Sequence, residues 1–552
     1  MSEQTAPQPS PRRPALIENI TEDSGRLTGA STARLAVILT MLLLVTEVVP
    51  LQIQMATIII PKIGLAFPAA GSNVSWTVTI AGIAGGATMA LAGKAGDVFG
   101  KKRVLVVLGL LCAVGALLSA IAPNWAVFLT GRGISAVSLG MAVVNLGLVR
   151  DLMPRHWIPI AVGFVGTGFA FSGIIGPLVS GVLTDHFSWR SVYWFLLIYS
   201  LVVTPLFALF VPESPVRVRQ RFDVMGALLF GAGIALVSVY LSEGGSWGWG
   251  NAGALGCLIG GLVALAAFAG WELRAGHPML DLTLIRRPAV YLVILAAFFV
   301  TGLQSVLSIM LSYLFETPHQ AQLEQQVLAG AAAKAHVSAA VVAHFATFKG
   351  SVSGAGFSVL QLAYHITIWQ AIFSVLFAPL GGWLCRRIGA RVPLIISGVA
   401  LTAACALWIS WHSTWQEQVG IGVLLGLGSG FFFAAWPNLI MDAVPAGLQG
   451  ISAGMVQVFG GIGTSVAAAL IASILAAHPF QVAFSAPGQP TLTQAIPQVY
   501  TDAGFSQAYL LLGVIPAAIA IIIGVVLRTG RTPARGGAPA EVPEAVPAQA
   551  RP

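Results

Sequence analysis

Charged side chains are scarce in this chain of 552 residues, where Asp, Glu, Lys and Arg together make up 9%. A typical soluble protein has about 25%. Hydrophobic residues reach 57% and the mean hydropathy is +0.85. So few charges cannot cover a compact surface that faces water on all sides, and the apolar content also excludes intrinsic disorder. The composition therefore predicts a polytopic membrane protein.

Several chemical signatures are missing as well. The four cysteines stand singly in or beside apolar runs, without the spacing of a zinc site or a disulfide framework. No phosphate-binding glycine loop or nucleophile triad occurs, so we expect no enzyme activity, no metal and no cofactor. The net charge is +8, but the Lys and Arg residues are scattered in twos and threes between apolar runs. This argues against a nucleic-acid partner. The polar residues 1–34 lack the apolar core of a signal peptide.

Long apolar runs dominate the rest of the chain. A membrane-spanning helix needs roughly 20 mostly apolar residues, and fourteen such runs occur. They lie near 35–58, 75–93, 104–122, 126–149, 158–182, 191–211, 224–242, 252–271, 289–315, 358–384, 392–412, 416–437, 450–475 and 508–527.

The Lys and Arg residues test this count, because cytoplasmic loops carry most of them. With both termini placed in the cytoplasm, 23 of the 28 fall on the cytoplasmic side and 4 on the external side, and Arg132 lies within the fourth run. We therefore expect a cell (inner) membrane protein with cytoplasmic termini.

An internal repeat supports the same topology. Gly93, Gly100 and Lys102 recur as Gly382, Gly389 and Arg391 at a constant offset of 289 residues. Eight helices separate the two copies, so both turns face the cytoplasm, as in transporters built from parallel repeats.

These patterns predict five regions. They are a cytoplasmic tail (1–34), a six-helix bundle (35–211), two extra helices (212–275), a second six-helix bundle (276–527) with an external insert (316–357), and a disordered tail (528–552). The Ala-rich insert predicts one or two helices over the mouth of the protein, and we expect its three histidines on a solvated face rather than at a metal site. A second external loop covers 477–507.

Two motifs carry a family resemblance. GKAGDVFGKK (93–102) resembles the signature loop of the major facilitator superfamily, whose members gate their conformation with this turn. The residues concerned are Gly93, Asp97, Gly100, Lys101 and Lys102. Gly176 and Pro177 in the fifth run resemble the antiporter motif of drug exporters in that superfamily, since proline kinks a helix and glycine allows close packing.

Further stretches resemble the fourteen-helix drug:proton antiporters of this superfamily. They are WRSVY (189–193), RFDVMGALLF (221–230), SEGGSWGW (242–249), HPMLDLTLIRRP (277–288) and GISAGMVQVFGGIG (450–463). The resemblance implies an all-α fold with fourteen transmembrane helices in a 6 + 2 + 6 arrangement, and export of lipophilic or cationic drug-like compounds by alternating access.

The sequence also departs from that family. Gln52 stands where the family's first helix carries an acid, and Gln457 stands where an arginine is common. In the fourth helix Ser135 replaces a glutamine. The acid that binds the proton is therefore absent from its usual place.

Glu47, five residues before Gln52, is the alternative acid. Ionisable groups inside a membrane cost about 2.5–3.5 kcal/mol on insertion scales and usually face a cavity. We predict that Glu47 binds the coupled proton and that Arg132 modulates it; a fixed Glu47–Arg132 pair that holds two helices together is the alternative. Gln54, Gln52, Ser135 and Gln457 are the predicted cavity residues.

We expect a monomeric transporter whose partners are a small lipophilic substrate, protons and the lipid bilayer. Two other functions stay open: export of a lipid or cell-envelope component, with the external insert as a docking element, and a non-transporting sensor or scaffold on the same fold.

Overall fold

The computed structural model describes residues 27, 29–154, 157–215, 223–274, 282–410, 414–444, 449–485, 490–528 and 530. Long helices dominate these residues, and we number fourteen of them in chain order. They are α1 (Thr32–Ile58), α2 (Trp76–Phe99), α3 (Lys101–Ala120), α4 (Trp125–Leu152), α5 (Ile158–His186), α6 (Arg190–Phe210), α7 (Val224–Trp247), α8 (Ala252–Glu272), α9 (Pro288–Glu316), α10 (Val359–Ile388), α11 (Arg391–Ser410), α12 (Trp415–Ala443), α13 (Gln449–Ala476) and α14 (Asp502–Val526).

Within the described chain, twelve helices are long and apolar enough to cross a membrane. α2 and α5 are not among the twelve, but they are 24 and 29 residues long, which exceeds the roughly 20 residues that a span needs. Each of the fourteen predicted apolar runs falls on one of the fourteen helices. The chain is a multi-pass, nearly all-helical membrane protein.

The helices pack as two groups. α1–α6 form the N-terminal bundle and α9–α14 form the C-terminal bundle, and the bundles meet where α2 contacts α13 and α5 contacts α10. The extra helix α7 lies along the first of these seams, against both α2 and α13, and α8 packs on α7. Lys94 of α2 interacts electrostatically with Glu272 and Asp223, so charge as well as packing joins α2 to the extra helices.

Capping side chains fix several helix starts. The Ser31 hydroxyl accepts a hydrogen bond from the Arg34 N–H at the start of α1, and Asn124 caps α4 in the same way. Thr414 and Glu417 form a capping box at the start of α12. Such caps satisfy backbone N–H groups that have no partner within the helix.

A small sheet covers one end of the bundles. β1 (Ala346–Lys349), β2 (Pro479–Phe484) and β3 (Leu492–Tyr500) pair antiparallel in the order β1–β2–β3. Phe348 lies opposite Val482, and Val482 lies opposite Gln494. The sheet joins the two long loops that were predicted to be external. We call this end of the protein the sheet end.

The sequence did not predict this sheet. The helices predicted for the insert are present: Gln320–Ala335 and Ala339–Phe345 are helical and meet at a bend of 108°. β1 follows them directly and pairs with a strand from a distant loop. Alternation over strands of 4 and 6 residues is too short a signal to identify a partner so far away in the sequence.

The opposite end of the bundles carries most of the cations, and we call it the basic end. α1 begins there and α14 ends there. The side chains at this end include Arg34, Lys101, Lys102, Arg103, Arg150, Arg286, Arg287, Arg386, Arg387, Arg391 and Arg528.

Candidate functional site

The two bundles are joined by hydrogen bonds near the sheet end. The Ser312 hydroxyl on α9 donates to the Thr57 carbonyl on α1 at 3.5 Å, and the Ser465 hydroxyl on α13 donates to the Thr79 carbonyl on α2 at 3.2 Å. The Leu360 N–H at the start of α10 donates to the Asp185 carboxylate at the end of α5 at 3.1 Å. These contacts hold the bundles together at one end of the membrane.

The seam between α2 and α13 opens toward the basic end. On α13, Gly461 lies against the Gly82 carbonyl, whereas a Cβ built on Gly454, about two turns nearer the basic end, would meet no atom within 4 Å. On α5, a Cβ at Gly181 would lie 2.5 Å from the Leu360 backbone, but one at Gly173 would lie 3.5 Å from Ala371. α2 and α13 therefore separate toward the basic end, whereas α5 and α10 remain in van der Waals contact at Gly173 and Ala371.

Glu47 lies in the middle of α1 with 3% of its surface exposed. Neither carboxylate oxygen has a hydrogen-bond partner that meets normal geometry among the described residues. The Ser172 hydroxyl of α5 lies beside the carboxyl, and Tyr199 of α6 is near enough to interact with it electrostatically. Because burial away from water disfavours an ionised carboxylate, this position favours the protonated carboxyl.

Glu47 belongs to a polar stripe on α1. Thr40, Glu47 and Gln54 recur at intervals of seven and therefore share one face of the helix. Thr40, nearest the basic end, is exposed; Gln54 is half-buried. The Gln54 side chain lies against Gly173 and Gly176 of α5, where a Cβ on Gly176 would lie 3.2 Å from the Gln54 Cβ. Two members of the stripe, Glu47 and Gln54, thus lie beside α5 in the middle of the protein.

The antiporter-like motif forms the other side of this contact. Pro177 lies inside α5, directly after Gly176. One turn further along, the Ser180 hydroxyl donates to the Met55 carbonyl of α1 at 3.4 Å. Gly176 has no side chain, and this allows α5 to approach the Glu47 helix closely.

Arg132 does not pair with Glu47. Its Nε and Nη2 atoms both donate to the Thr77 carbonyl of α2 at 3.3 Å, and its guanidinium lies 6.0 Å from the centre of the Tyr193 ring. The structure therefore forms neither the modulating contact nor the fixed Glu47–Arg132 pair that the sequence suggested. Instead, the buried guanidinium holds α4 against the first turn of α2.

Two predicted cavity residues lie inside the N-terminal bundle instead. Gln52 is fully buried and its amide donates to the Ser138 hydroxyl of α4 at 2.7 Å. Ser135 is buried where α4 packs against Gly115 of α3. Sequence position alone did not separate the face of α1 that meets α4 from the face that meets α5. Gln457 is half-buried, three residues from Gly454, and so lies on the open part of α13.

The signature turn forms an ion-pair cluster at the basic end. Gly100 has φ = 105°, a conformation that favours glycine, and allows α3 to start directly after α2. The Lys101 ammonium lies 2.9 Å from Asp97 and 2.8 Å from Asp151. Gly147 leaves room for the Lys101 side chain, which is buried between α2 and α4.

Two acids of this cluster were not predicted. Asp151 ends α4, and Glu213 follows α6 and accepts hydrogen bonds from the N–H groups of Lys102 and Arg103. A carboxylate at a helix N-terminus is favourable because the first N–H groups lack partners there. The acid in the turn, Asp97, pairs with Lys101, so Glu213 caps α3. The sequence did offer one signal for Asp151 and Glu213, since each acid closely follows an apolar run.

Replacing Lys101 by methionine is expected to destabilise the protein by about 3 kcal/mol, because Asp151 keeps a largely buried charge without its cation. Lys102→Met is the matched control, since Lys102 uses its backbone N–H in this cluster. The free energy of unfolding in detergent micelles would measure both effects. Equal losses for the two variants would contradict the role given to Lys101.

Among the described residues, no group of three or more His, Cys, Asp or Glu side chains could hold a metal ion. The histidines of the insert, His319, His336 and His344, are included in that statement. The candidate site thus consists of a buried carboxyl, a polar stripe and an opening between two helical bundles.

The family model of the Major Facilitator Superfamily matches residues 42–349 and 293–546. The chain belongs to the major facilitator superfamily. Membership makes it a membrane transporter rather than an enzyme, and it agrees with two helical bundles that meet along two seams.

Curated relatives from bacteria extend this result. The multidrug resistance protein Stp of Mycobacterium tuberculosis is 27% identical over 452 residues, which cover 81% of this chain and 76% of that protein. The tetracenomycin C resistance and export protein of Streptomyces glaucescens is 26% identical, over 75% of this chain and 71% of that protein.

Solved structures of other transporters share the fold. The human organic anion transporter MFSD10 has a TM-score of 0.54 at 15% identity, covering 89% of this chain and 98% of that one. A peptide transporter (POT) variant has a TM-score of 0.58 at 12% identity, covering 88% and 93%. At such identities, the likeness concerns the fold alone.

Proposed function

We propose that this transporter exports small lipophilic or cationic compounds in exchange for protons, as a fourteen-helix antiporter of the bacterial inner membrane. The basic end, where α1 begins and α14 ends, faces the cytoplasm, and the sheet end faces outside. The bundles rock about the seams α2–α13 and α5–α10, so that the central space opens to each side in turn.

The observation that carries this proposal is the buried carboxyl of Glu47. A carboxyl buried beside little more than one hydroxyl is costly inside a membrane protein, and such groups mark ion pathways. Its stripe begins at the exposed Thr40, on the side where the bundles separate. In the cycle we propose, Glu47 carries a proton inward and releases it to the basic end before the substrate enters.

Arg132 has a positioning role in this scheme. Its bonds to the Thr77 carbonyl keep α4 and α2 together near the sheet end. α2 contacts the C-terminal bundle in the same region, through Thr79 and Ser465. Arg132 therefore acts on the bundle seam rather than on the proton site.

The names of two relatives support the substrate class. One is named for multidrug resistance and the other for resistance and export of tetracenomycin C. The half-buried amides of Gln54 and Gln457 supply polar contacts at the opening between the bundles, within surroundings that are mostly apolar. Lipophilic cations fit such a space better than strongly hydrated solutes.

Driven flux in proteoliposomes tests the proposal. Purified protein should accumulate ethidium in vesicles whose interior is acidic when the basic end faces outward, and collapse of the pH gradient should stop accumulation. A protein that moves ethidium at the same rate with and without the gradient would contradict proton coupling. No movement of ethidium or tetraphenylphosphonium under any gradient would favour the scaffold function.

The sheet end favours one second candidate, export of a lipid or cell-envelope component. The insert and the loop 477–507 fold together into a sheet with a small core of its own, formed by Leu323, Val352, Phe480 and Val499. If it guides a lipid, deletion of residues 318–350 would abolish lipid delivery and leave ethidium flux intact.

A further inference from the structure

We propose that Glu316 is a second proton-binding site and that its protonation favours closure of the sheet end. Glu316 is the last residue of α9, in the C-terminal bundle. This inference rests on the alternating-access part of the proposed function. It adds a site on the opposite side of the protein from the opening that Glu47 serves.

The geometry of Glu316 differs from that of an ordinary surface acid. Both carboxylate oxygens are shielded from solvent and have no hydrogen-bond partner among the described residues. An ionised carboxylate in such a place loses its hydration without compensation, whereas the protonated form loses far less. The closed sheet end therefore favours the form that carries the proton.

The charged groups that face Glu316 come from the N-terminal bundle. Lys62, in the short helix Ile60–Ala66, and Asp185 of α5 both interact with it electrostatically. Lys62 favours the ionised carboxylate and Asp185 opposes it. Lys62 forms no salt bridge with Glu316 within 4 Å, so burial is not offset by a direct ion pair.

The remaining titratable neighbours are tyrosines. Tyr313, one turn back on α9, interacts with both Glu316 and Tyr500 of β3, and the two rings meet edge to face at 5.2 Å. Burial raises the pKa of Tyr500 to about 12, so this phenol stays neutral at physiological pH. Lys62 and Asp185 are therefore the charged groups that influence Glu316.

The surrounding contacts connect Glu316 to bundle closure. Asp185 accepts the Leu360 N–H at the start of α10, and Gly181 of α5 packs directly against Leu360. On the other side, the Gln498 amide of β3 donates to the Gly71 carbonyl at 3.1 Å and its carbonyl oxygen accepts from the Tyr313 hydroxyl at 3.0 Å. Closing these contacts buries the Glu316 carboxyl.

The direction of the pH effect follows by linkage. If the closed sheet end holds one more proton than the open one, closure is favoured as the external pH falls and is lost as it rises. Because the proton comes from outside, an acidic exterior drives the transporter toward the conformation that opens at the basic end. This is the direction that proton-driven export requires.

The experiment measures the distance between spin labels across the sheet end as a function of pH. The labels are placed by Phe187→Cys on the N-terminal bundle and His319→Cys on the C-terminal bundle, in a Cys257→Ser background that removes the half-exposed native thiol. The reconstituted parent protein should close as the pH falls. Glu316→Gln should stay closed at every pH, while the control Glu324→Gln should keep the parent's dependence.

A second variant keeps the test decisive if Glu316→Gln does not fold. Lys62→Met should move the midpoint of closure to higher pH, because it removes the cation that favours ionised Glu316, and Lys349→Met in β1 should not move it. A parent protein whose distance does not respond to pH, or a Glu316→Gln variant that responds like the parent, overturns the inference. Gradient-driven ethidium uptake tests the proposed function separately, so the two failures are distinguishable.

Discussion

Replacement of Gly82 by alanine is expected to hold the sheet end open and to reduce ethidium export by at least tenfold. Gly82 lies where α2 crosses α13, and a Cβ there would lie 2.8 Å from the Gly461 carbonyl and closer still to the Ser465 hydroxyl. Overpacking of this kind costs about 2 kcal/mol, which corresponds to about a thirtyfold shift between two conformations. The same side chain would meet no obstacle once the seam has opened.

The matched control is Gly256→Ala on α8, a helix that lies in neither seam. A Cβ at Gly256 meets no atom within 4 Å, so this variant should export ethidium at close to the parental rate. Label distances across the sheet end would show whether Gly82→Ala has shifted the conformation rather than unfolded the protein. Parental export by Gly82→Ala would show that closure of this seam is not part of the cycle.

Replacement of Glu47 by glutamine is expected to remove the response of ethidium transport to a pH gradient. Glutamine keeps the size and polarity of the side chain but cannot release a proton. The variant should therefore fold and still allow downhill movement, while gradient-driven accumulation falls to the level of empty vesicles. Glu324→Gln, in the short helix Gln320–Ala335, is the control and should retain accumulation. Undiminished accumulation by Glu47→Gln would refute the assignment of the proton site.

The membrane-spanning helices could be predicted from the sequence because each needs a long apolar run of its own. Such a run is a local property, and each of the twelve helices long and apolar enough to span a membrane within the described chain coincides with one. The signature turn was equally predictable, since Gly93, Asp97 and Gly100 have fixed spacing. The membership of the major facilitator superfamily that this turn suggested is confirmed by the family model.

The sheet and the partners of buried polar groups could not be predicted in the same way. β1 pairs with β2 across most of the C-terminal bundle, and the two strands are only 4 and 6 residues long. Gln52 and Gln54 are two residues apart on α1, yet one contacts α4 and the other α5. Which face of α1 meets which helix depends on packing that a single helix does not encode.

The burial of Glu316 could not be predicted from the sequence for a different reason. At the end of an apolar run, before a polar loop, a glutamate resembles an ordinary solvated residue. Its burial arises from the short helix that contains Lys62 and from the β3 segment around Gln498, which pack against the end of α9. None of these neighbours is close to Glu316 in the sequence.

The central claim is that one carboxyl in the middle of α1 takes up and gives back a proton as the transporter works. Infrared difference spectroscopy of the reconstituted protein, titrated across the pH range that supports driven transport, measures this directly. In a Glu316→Gln background, the account predicts a protonated-carboxyl band that rises and falls with pH and is missing after the additional change Glu47→Gln. A titrating band that survives Glu47→Gln unchanged would contradict it.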